Sequence, residues 1–378
     1  RNFPACGGHG RSDHWFAGMV NEKVEEAREN IRKFINAKST NEIIFTRNTT
    51  EGLNLVAQGF DFKEGDEVLT TDREHNSNLC PWRRLEAKGI IKHKVVPSNP
   101  DNTFNLAVFK EMLTLKVKLV SLVHTSNLDG YTIPAEEIIR IAHEHGVVVM
   151  LDGAQSAPHK PIDVQKLDVD FFAFSIHKMC GPTGMGILYG KEDLLKELEP
   201  FVVGGDTVAD TFYDRYPIYM ESPAKFEAGL QNYAGIIGAG ASVEYLRNIG
   251  LDNITQHEFE LNRYLTENLS LYEELEIIGP KDPKLRGGIF TFLAKKKGLS
   301  MIAQECDKRS NIMLRSGEFC VHSWFNGKGI DRESGLGIIR ASLYFYNTFE
   351  ECETFVKTIG AILNEFKDLP IIEVYKHG

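Results

Sequence analysis

Two hydrophobic periods alternate along the chain. One is helical: residues 20–37 carry apolar side chains every three or four positions, which predicts an amphipathic helix. Those positions are Val20, Val24, Ala27, Ile31 and Phe34. The other is the short apolar run of a buried strand, as in "IIFT", "DEVLTTD", "KVKLVSLVH", "GVVVML" and "VDFFAFS". Strands that alternate with helices predict an α/β fold with a mostly parallel central sheet flanked by helices.

A polar loop follows each of these predicted strands. In parallel sheets the loops at the carboxyl ends of the strands build the binding site, so we expect these side chains to converge in one crevice. The polar residues concerned are Thr49, Thr50, His75, Ser126, Asn127, Asp152, Gln155, Ser175, His177 and Lys178.

The hydrophobic pattern changes near residue 250. The stretch "LEIIGPKDPKLRGGIFTFLA" predicts two strands around a polar turn, and "TFEECETFVKTIGAILNEF" predicts a long C-terminal helix. A chain of 378 residues is long for a single core. We therefore predict a large α/β domain over residues 15–249 and a smaller α+β domain over residues 250–378.

Composition narrows the choice of partners and compartment. The net charge of −10, without clustered Lys and Arg, argues against a nucleic-acid surface. The longest apolar runs have the length of strands, so we expect no membrane span. The first residue is Arg1, so we expect an upstream segment to be missing. Six cysteines without a CxxC pair predict reduced thiols and a cytoplasmic protein.

Two strand ends carry residues suited to an aldehyde cofactor. A lysine such as Lys178, after the strand "DFFAFS", can form a Schiff base, and Asp152 can keep a pyridine nitrogen protonated. Thr50 and the N–H groups that begin the next helix suit a phosphate. Taken singly, Lys178 is more often a solvated surface residue and Asp152 a helix N-cap. Their shared position at strand ends favours a functional site.

Five stretches, in order over essentially the whole chain, resemble the cysteine desulfurase/selenocysteine lyase branch of the class V aminotransferases. They are "TRNTTEGLNLVA", "VVVMLDGAQSA", "FAFSIHKMCGPTGMGILYG", "KFEAGLQNYAGIIGAG" and "IRASLYFYNT". These enzymes have the fold-type I architecture and use pyridoxal phosphate (PLP). The resemblance therefore implies a homodimer in which the large domain binds PLP and the small domain carries a cysteine loop of the short type.

The resemblance also assigns the cofactor contacts. It implies that Lys178 holds PLP covalently, that Asp152 pairs with the pyridine nitrogen, and that Gln155 bonds to the phenolic oxygen. The phosphate ligands that it implies are Thr50, Ser175 and His177.

Further roles follow from the same resemblance. His75 matches a histidine that stacks on the cofactor and moves protons, although a structural histidine is the alternative. Asn127 matches a residue that contacts cofactor and substrate carboxylate. Arg340 matches the arginine that binds the carboxylate, with a surface ion pair as its alternative. "HGRSDH" is similar to a family segment that would place residues 1–14, including Arg11 and His14, at the active-site mouth or against the small domain.

"RSGEFCVHSW" contains the candidate nucleophile, Cys320. A single cysteine is by default a small buried hydrophobic residue. Its position after Arg315 and before Arg340 resembles the branch in which a loop cysteine attacks the sulfur of L-cysteine. That chemistry produces an enzyme persulfide and alanine, and it needs an exposed thiol beside positive groups such as Arg315 and His322.

The resemblance implies a cysteine desulfurase that supplies persulfide sulfur for iron–sulfur cluster or other sulfur-cofactor assembly through an acceptor protein. A selenocysteine lyase and a cysteine-sulfinate desulfinase remain alternatives, because both would use much the same residues. A PLP-fold scaffold with little turnover is a further alternative, which the intact pair of Asp152 and Lys178 argues against.

The chain departs from that branch at three places. Glu318 and Phe319 stand where a histidine pair is usual, and a carboxylate there would raise the thiol pKa unless it points elsewhere. The segment between Cys320 and Arg340 is a few residues longer than usual. Leu230 stands where relatives often have a threonine that reaches the neighbouring subunit's phosphate. Either Gln231 or Asn232 substitutes for that threonine, or the contact is missing.

A metal site at the N-terminus is disfavoured. The spacing of the candidate ligands fits no strong zinc pattern, so we predict no bound metal. Those candidates are Cys6, His9, Asp13 and His14.

Overall fold

The structure is a computed structural model, which describes residues 14–296, 298–330, 336–372 and residue 374. The helices are α1 (Trp15–Phe34), α2 (Thr49–Gly59), α3 (Asn76–Ala87), α4 (Leu106–Met112), α5 (Ala135–Glu144), α6 (Val164–Leu167), α7 (Glu192–Glu197), α8 (Tyr233–Ile249), α9 (Leu251–Leu269), α10 (Ile302–Ser310), α11 (His322–Gly327) and α12 (Phe349–Glu365). The strands are β1 (Ile43–Thr46), β2 (Asp66–Thr71), β3 (Ile91–Val96), β4 (Val117–Val123), β5 (Val148–Asp152), β6 (Phe171–Ser175), β7 (Gly186–Gly190), β8 (Val208–Asp210), β9 (Ile218–Tyr219), β10 (Leu275–Ile278), β11 (Ile289–Ala294), β12 (Arg315–Ser316) and β13 (Gly337–Ser342).

A seven-stranded sheet forms the centre of the N-terminal part. Its strand order is β1-β7-β6-β5-β4-β2-β3. Neighbouring strands from β6 to β3 run parallel, and β7 is antiparallel to both β6 and β1. The carboxyl ends of the other six strands therefore meet at one edge of the sheet. The predicted α/β class with a mostly parallel sheet is confirmed.

Both faces of this sheet are covered by helices. Phe172 and Phe174 belong to the apolar cluster that includes α1, α5 and α8, whereas Phe171 and Ala173 belong to the cluster with α2, α3 and α7. This alternation is the period of two expected for a strand that is buried on both faces. On the first face α1 packs against α8, where a Cβ on Gly240 would lie 2.7 Å from the Cβ of Ala27.

A second, four-stranded sheet follows in the C-terminal part. Its order is β10-β11-β13-β12, and all of its pairs are antiparallel. Residues of α9, α10 and α12 pack on it in one apolar cluster. The predicted division at residue 250 lies between α8 and α9, at a glycine with φ +91°. The assignment of two domains on either side remains a prediction.

Local differences from the predicted elements have simple causes. The first helix starts at Trp15 rather than residue 20, because His14 caps it by accepting a hydrogen bond from Ala17 N at 3.1 Å. The stretch "RNTTEG", predicted as a turn, already contains the start of α2, because Asn48 caps Glu51 N at 3.0 Å. Strand β7 had not been predicted.

Two predicted segments lie outside the described residues. They are residues 1–13, which include Arg11 and three of the four candidate metal ligands, and residues 331–335 of the segment before Arg340. In the part of the chain that the structure does describe, no helix combines the length and apolarity needed to cross a membrane.

Candidate active site

A cavity of about 240 Å³ opens at the carboxyl edge of the large sheet. The loops that follow β1, β2, β4, β5 and β6 contribute its walls. The lining residues are Asn48, Thr49, Thr50, His75, Ser77, Val123, Thr125, Asn127, Asp152, Ala154, Gln155, Ser175, His177 and Lys178. The fold therefore brings together every residue predicted to contact the cofactor, while the roles of those residues remain predictions.

Asp152 and Lys178 place opposite charges in this cavity. Asp152 ends β5, is buried, and accepts a hydrogen bond from Ala154 N at 3.0 Å. Burial raises the pKa of the Asp152 carboxyl, while the nearby Lys178 opposes that shift. Burial likewise lowers the pKa of the Lys178 amine, against the effect of Asp152. An amine with a lowered pKa is the more readily available as a nucleophile towards an aldehyde.

Two helices begin at the same wall of the cavity. At the start of α2, Thr49 N donates to Ser175 Oγ at 2.8 Å. The hydroxyl of Thr50 lies 2.8 Å from that of Ser77, at the start of α3. A Cβ on Gly186 would lie 2.5 Å from Asn48 Cα, so glycine allows the α2 N-terminus to approach β7. The paired N-termini with their hydroxyl groups suit a phosphate.

His75 is held neutral at the beginning of α3. Its Nδ1 accepts a hydrogen bond from Ser77 N at 3.1 Å, which assigns the proton of the neutral ring to Nε2. Burial lowers the pKa of His75 to about 4, and the positive charges of Lys178 and Arg340 add to this effect. A neutral imidazole can both stack on a ring and accept a proton.

These groups fit a PLP-type cofactor. A buried carboxyl with one backbone hydrogen bond suits a protonated pyridine nitrogen, and the amine of Lys178 suits an aldehyde. The side-chain oxygen of Asn127 is buried and, among the described residues, has no hydrogen-bond partner. A buried amide without a partner is costly, which favours a ligand at this place.

Cys320 lies in the loop between β12 and α11 and is half-buried. Two hydrogen bonds from the large-sheet side fix this loop. Asn76 N donates to Cys320 O at 2.7 Å, and Asn127 Nδ2 donates to Phe319 O at 2.8 Å. The loop therefore reaches the same strand-end loops that line the cavity.

Two cationic side chains, Lys178 and Arg340, interact electrostatically with Cys320. Burial lowers the pKa values of Lys178 and Arg340, and the neighbouring Cys320 opposes both shifts. The three groups therefore share one electrostatic environment. Glu318 Oε2 lies 3.6 Å from His322 Nε2, so the Glu318 carboxylate lies beside a histidine that can carry a positive charge.

Arg340 is available to a carboxylate. It lies on β13 and donates from Nη1 to Asn127 O at 3.1 Å, while its buried Nε has no partner among the described residues. It also lines an adjoining cavity of about 310 Å³ together with Gln155, His177 and Lys178. Arg315 is exposed and faces Arg340 across the β12–β13 pair.

Other predicted contacts are not among the residues that line these two cavities. His14 is exposed at the start of α1, and its place at the active-site mouth remains a prediction. Leu230 is exposed and lines a separate cavity together with Gln231 and Asn232. No group of three or more metal-ligating side chains occurs among the residues that the structure describes.

Three residues at the site were not singled out from the sequence for these contacts. Ser77 lies two positions after the predicted site residue His75, at the start of α3. That position could have indicated from the sequence that Ser77 lines the cavity. Asn76 and Phe319 had no such signal, because their contacts to the cysteine loop and Asn127 depend on packing between distant segments.

The chain is similar to known proteins over most of its length. A probable cysteine desulfurase of Synechocystis is 41% identical over 366 residues, covering 95% of this chain and 84% of the relative. The structure of an apo cysteine desulfurase from Thermococcus onnurineus has a TM-score of 0.88 and 37% identity, covering 94% of this chain and 87% of that chain. An Escherichia coli cysteine desulfurase in an S-sulfonic acid form has a TM-score of 0.85 and 31% identity, with coverage of 96% and 88%. The family model "Aminotransferase class-V" matches residues 5–355, and the chain belongs to the class V aminotransferase family.

Proposed function

We propose that the protein is a PLP-dependent cysteine desulfurase, which transfers the sulfur of L-cysteine to Cys320 and releases L-alanine. The observation that carries this proposal is the position of the Cys320 loop, which is hydrogen-bonded to Asn76 and to Asn127, a residue that lines the cavity. The similarity to cysteine desulfurases over nearly the whole chain supports it.

The cavity residues have distinct tasks in this proposal. When bound, PLP supplies an electron sink that weakens the bond between Cβ and Sγ of the substrate. Lys178 and neutral His75 exchange the proton at the substrate Cα. Arg340 and Asn127 bind the substrate carboxylate, since a guanidinium can bind a carboxylate through two parallel hydrogen bonds.

Cys320 acts as the nucleophile. Its thiolate attacks Sγ of L-cysteine, a new S–S bond forms, and the Cβ–Sγ bond breaks. The electron pair of the broken bond stays with the carbon fragment, which takes up protons and leaves as L-alanine. The sulfur remains on Cys320 as a persulfide, so the balance is one L-cysteine to one L-alanine and one persulfide.

The partners and the compartment belong to the same proposal. The short cysteine loop has limited reach, which supports delivery of the persulfide to an acceptor protein for iron–sulfur cluster or other sulfur-cofactor assembly. The family resemblance supports a homodimer with a PLP-binding domain over residues 15–249. Free thiols support a reducing, cytoplasmic environment. Among the described residues these are Cys80, Cys180, Cys306, Cys320 and Cys352.

The proposal is tested by reconstitution with PLP. We expect a visible absorption band, and equal amounts of alanine and sulfide from L-cysteine in the presence of a reducing thiol. Lys178→Ala should abolish the band, while Lys166→Ala, at an exposed lysine of α6, should retain it. Selenocysteine and cysteine sulfinate run in parallel measure substrate preference. A protein that binds PLP without releasing alanine from L-cysteine would refute the proposed activity.

A further inference from the structure

Phe319 contacts two parts of the proposed reaction site, the side chain of Arg340 and the loop that carries Cys320. Its ring is buried at 3% exposure and packs edge-to-face on Phe325, with ring centroids 6.3 Å apart. The guanidinium carbon of Arg340 lies 5.1 Å from the same ring centroid. Its carbonyl accepts the hydrogen bond from Asn127. One residue thus joins the cation at the carboxylate site to the backbone that carries Cys320.

The backbone at this point is strained. Phe319 and Cys320 have φ values of +52° and +62°, in the left-handed region that residues other than glycine seldom adopt. Two consecutive residues of this kind persist only where the surroundings hold them. The hydrogen bonds from Asn127 and Asn76 hold the carbonyl groups, and the Phe319 ring lies in a larger cluster of buried apolar side chains.

We infer that Phe319 is a positioning residue, which fixes the thiol of Cys320 relative to the guanidinium of Arg340. The ring limits where Arg340 can lie, and the same residue sets the backbone direction one position before the thiol. Binding of a carboxylate to Arg340 and Asn127 is therefore coupled to the position of Cys320. This inference rests on the proposed function, because it assigns the carboxylate to the amino-acid substrate.

The coupling follows from shared contacts. Asn127 donates its side-chain N–H to Phe319 O, and its backbone carbonyl accepts from Arg340. A substrate carboxylate that binds to Asn127 or Arg340 therefore changes a contact of the cysteine loop.

The matched variants are Phe319→Leu and Phe325→Leu, which remove one ring each from the same buried cluster. In the PLP-loaded protein, the cofactor absorbance gives the dissociation constant for L-alanine, a carboxylate ligand without sulfur. Mass spectrometry of the Cys320 peptide gives the rate of its alkylation by iodoacetamide, with and without L-alanine. Urea midpoints measure the loss of stability for both variants.

We expect Phe319→Leu to weaken L-alanine binding about fivefold, because the guanidinium of Arg340, no longer held by the ring, must be ordered when the carboxylate binds. We also expect L-alanine to alter the alkylation rate of Cys320 in the wild type and in Phe325→Leu, but not in Phe319→Leu. The inference is overturned if both variants bind L-alanine equally well and L-alanine affects the alkylation rate of Cys320 equally in both. Phe319 would then contribute only to packing. If either variant fails to fold, the same measurements are made on Phe319→Met, which has a flexible apolar side chain.

The proposed function fails by a different result. Absence of alanine release from L-cysteine in the wild type refutes the desulfurase activity, whereas the alkylation experiment uses no sulfur-containing substrate. The two failures are therefore distinguishable.

Discussion

At the scale of single residues, burial sets the chemistry of the cavity. It raises the pKa of Asp152, lowers that of Lys178, and lowers that of His75 to about 4. A buried carboxyl whose pKa is raised in this way remains ionised when a cation lies beside it. In the role proposed for Asp152, a protonated pyridine nitrogen would supply that cation, and the two groups would stabilise each other's charged forms.

Replacing Asp152 with Asn keeps the shape of the side chain and removes its charge. We expect Asp152→Asn to lower the rate of alanine formation by about 100-fold or more, the size usual for loss of one electrostatic stabiliser. Initial rates at saturating PLP provide the measurement, and circular dichroism checks the fold. An unchanged rate would show that Asp152 has no electrostatic role.

At the scale of elements, a buried ion pair joins α1 to the central sheet. Arg28 on α1 donates to both carboxylate oxygens of Glu227, at 2.8 and 3.0 Å, and to Ile43 O at 2.7 Å. Glu227 also accepts from Phe45 N at 2.8 Å. Both side chains are buried, so each depends on the other for its charge balance.

Removing one partner of this pair leaves the other charge buried. Glu227→Leu should therefore lower the free energy of unfolding by about 3–5 kcal/mol. The double variant Arg28→Met/Glu227→Leu should cost much less than the sum of the two single changes, because no charge remains. Urea denaturation of the full cycle gives the interaction free energy, and strictly additive losses would contradict a coupled pair.

At the scale of the whole molecule, one stretch exposes many apolar side chains. We name it the 201–230 surface. Its members are Phe201, Val202, Val203, Tyr213, Tyr216, Ile218, Met220 and Leu230. Exposed apolar side chains in such number often mark a site of association, and their exposure agrees with the proposed homodimer.

The 201–230 surface provides a test of that dimer. Tyr216→Glu/Ile218→Glu should shift the sedimentation coefficient from dimer to monomer, because two charges would be buried at the interface. Leu115→Glu is the control, since Leu115 is 94% exposed and lies in the connection between α4 and β4. A dimer that survives the double change would place the interface elsewhere.

The stability of the whole molecule should also depend on pH through a buried histidine. Burial lowers the pKa of His124 to about 3, and its Nδ1 lies 2.9 Å from Ser156 Oγ. Between pH 6.5 and about 3 the unfolded chain binds the extra proton, so stability falls as pH falls, by up to about 1.4 kcal/mol per pH unit.

His124→Gln should make this dependence shallower, whereas His145→Gln, at an exposed position, should leave it unchanged. Urea midpoints between pH 7 and pH 4 provide the comparison. The same slope in wild type and His124→Gln would contradict the contribution of His124.

Sequence reasoning reached the polar groups that follow the strands, because strand ends in a parallel sheet have one common edge. Asp152, Gln155 and Lys178 were found in this way. The contacts of the cysteine loop could not be predicted from the sequence, because Asn76 and Phe319 meet their partners only after two distant segments pack together. Left-handed backbone at Phe319 and Cys320 has no local sequence signal, unlike a glycine turn.

The most direct test of the central claim concerns Cys320 itself. In PLP-loaded Cys320→Ala, the absorption band should remain while alanine and sulfide formation from L-cysteine fall to background. Cys80→Ala, at an exposed cysteine on α3, is the matched control and should keep wild-type rates. Wild-type release of sulfide and alanine by Cys320→Ala would contradict the assignment of Cys320 as the nucleophile.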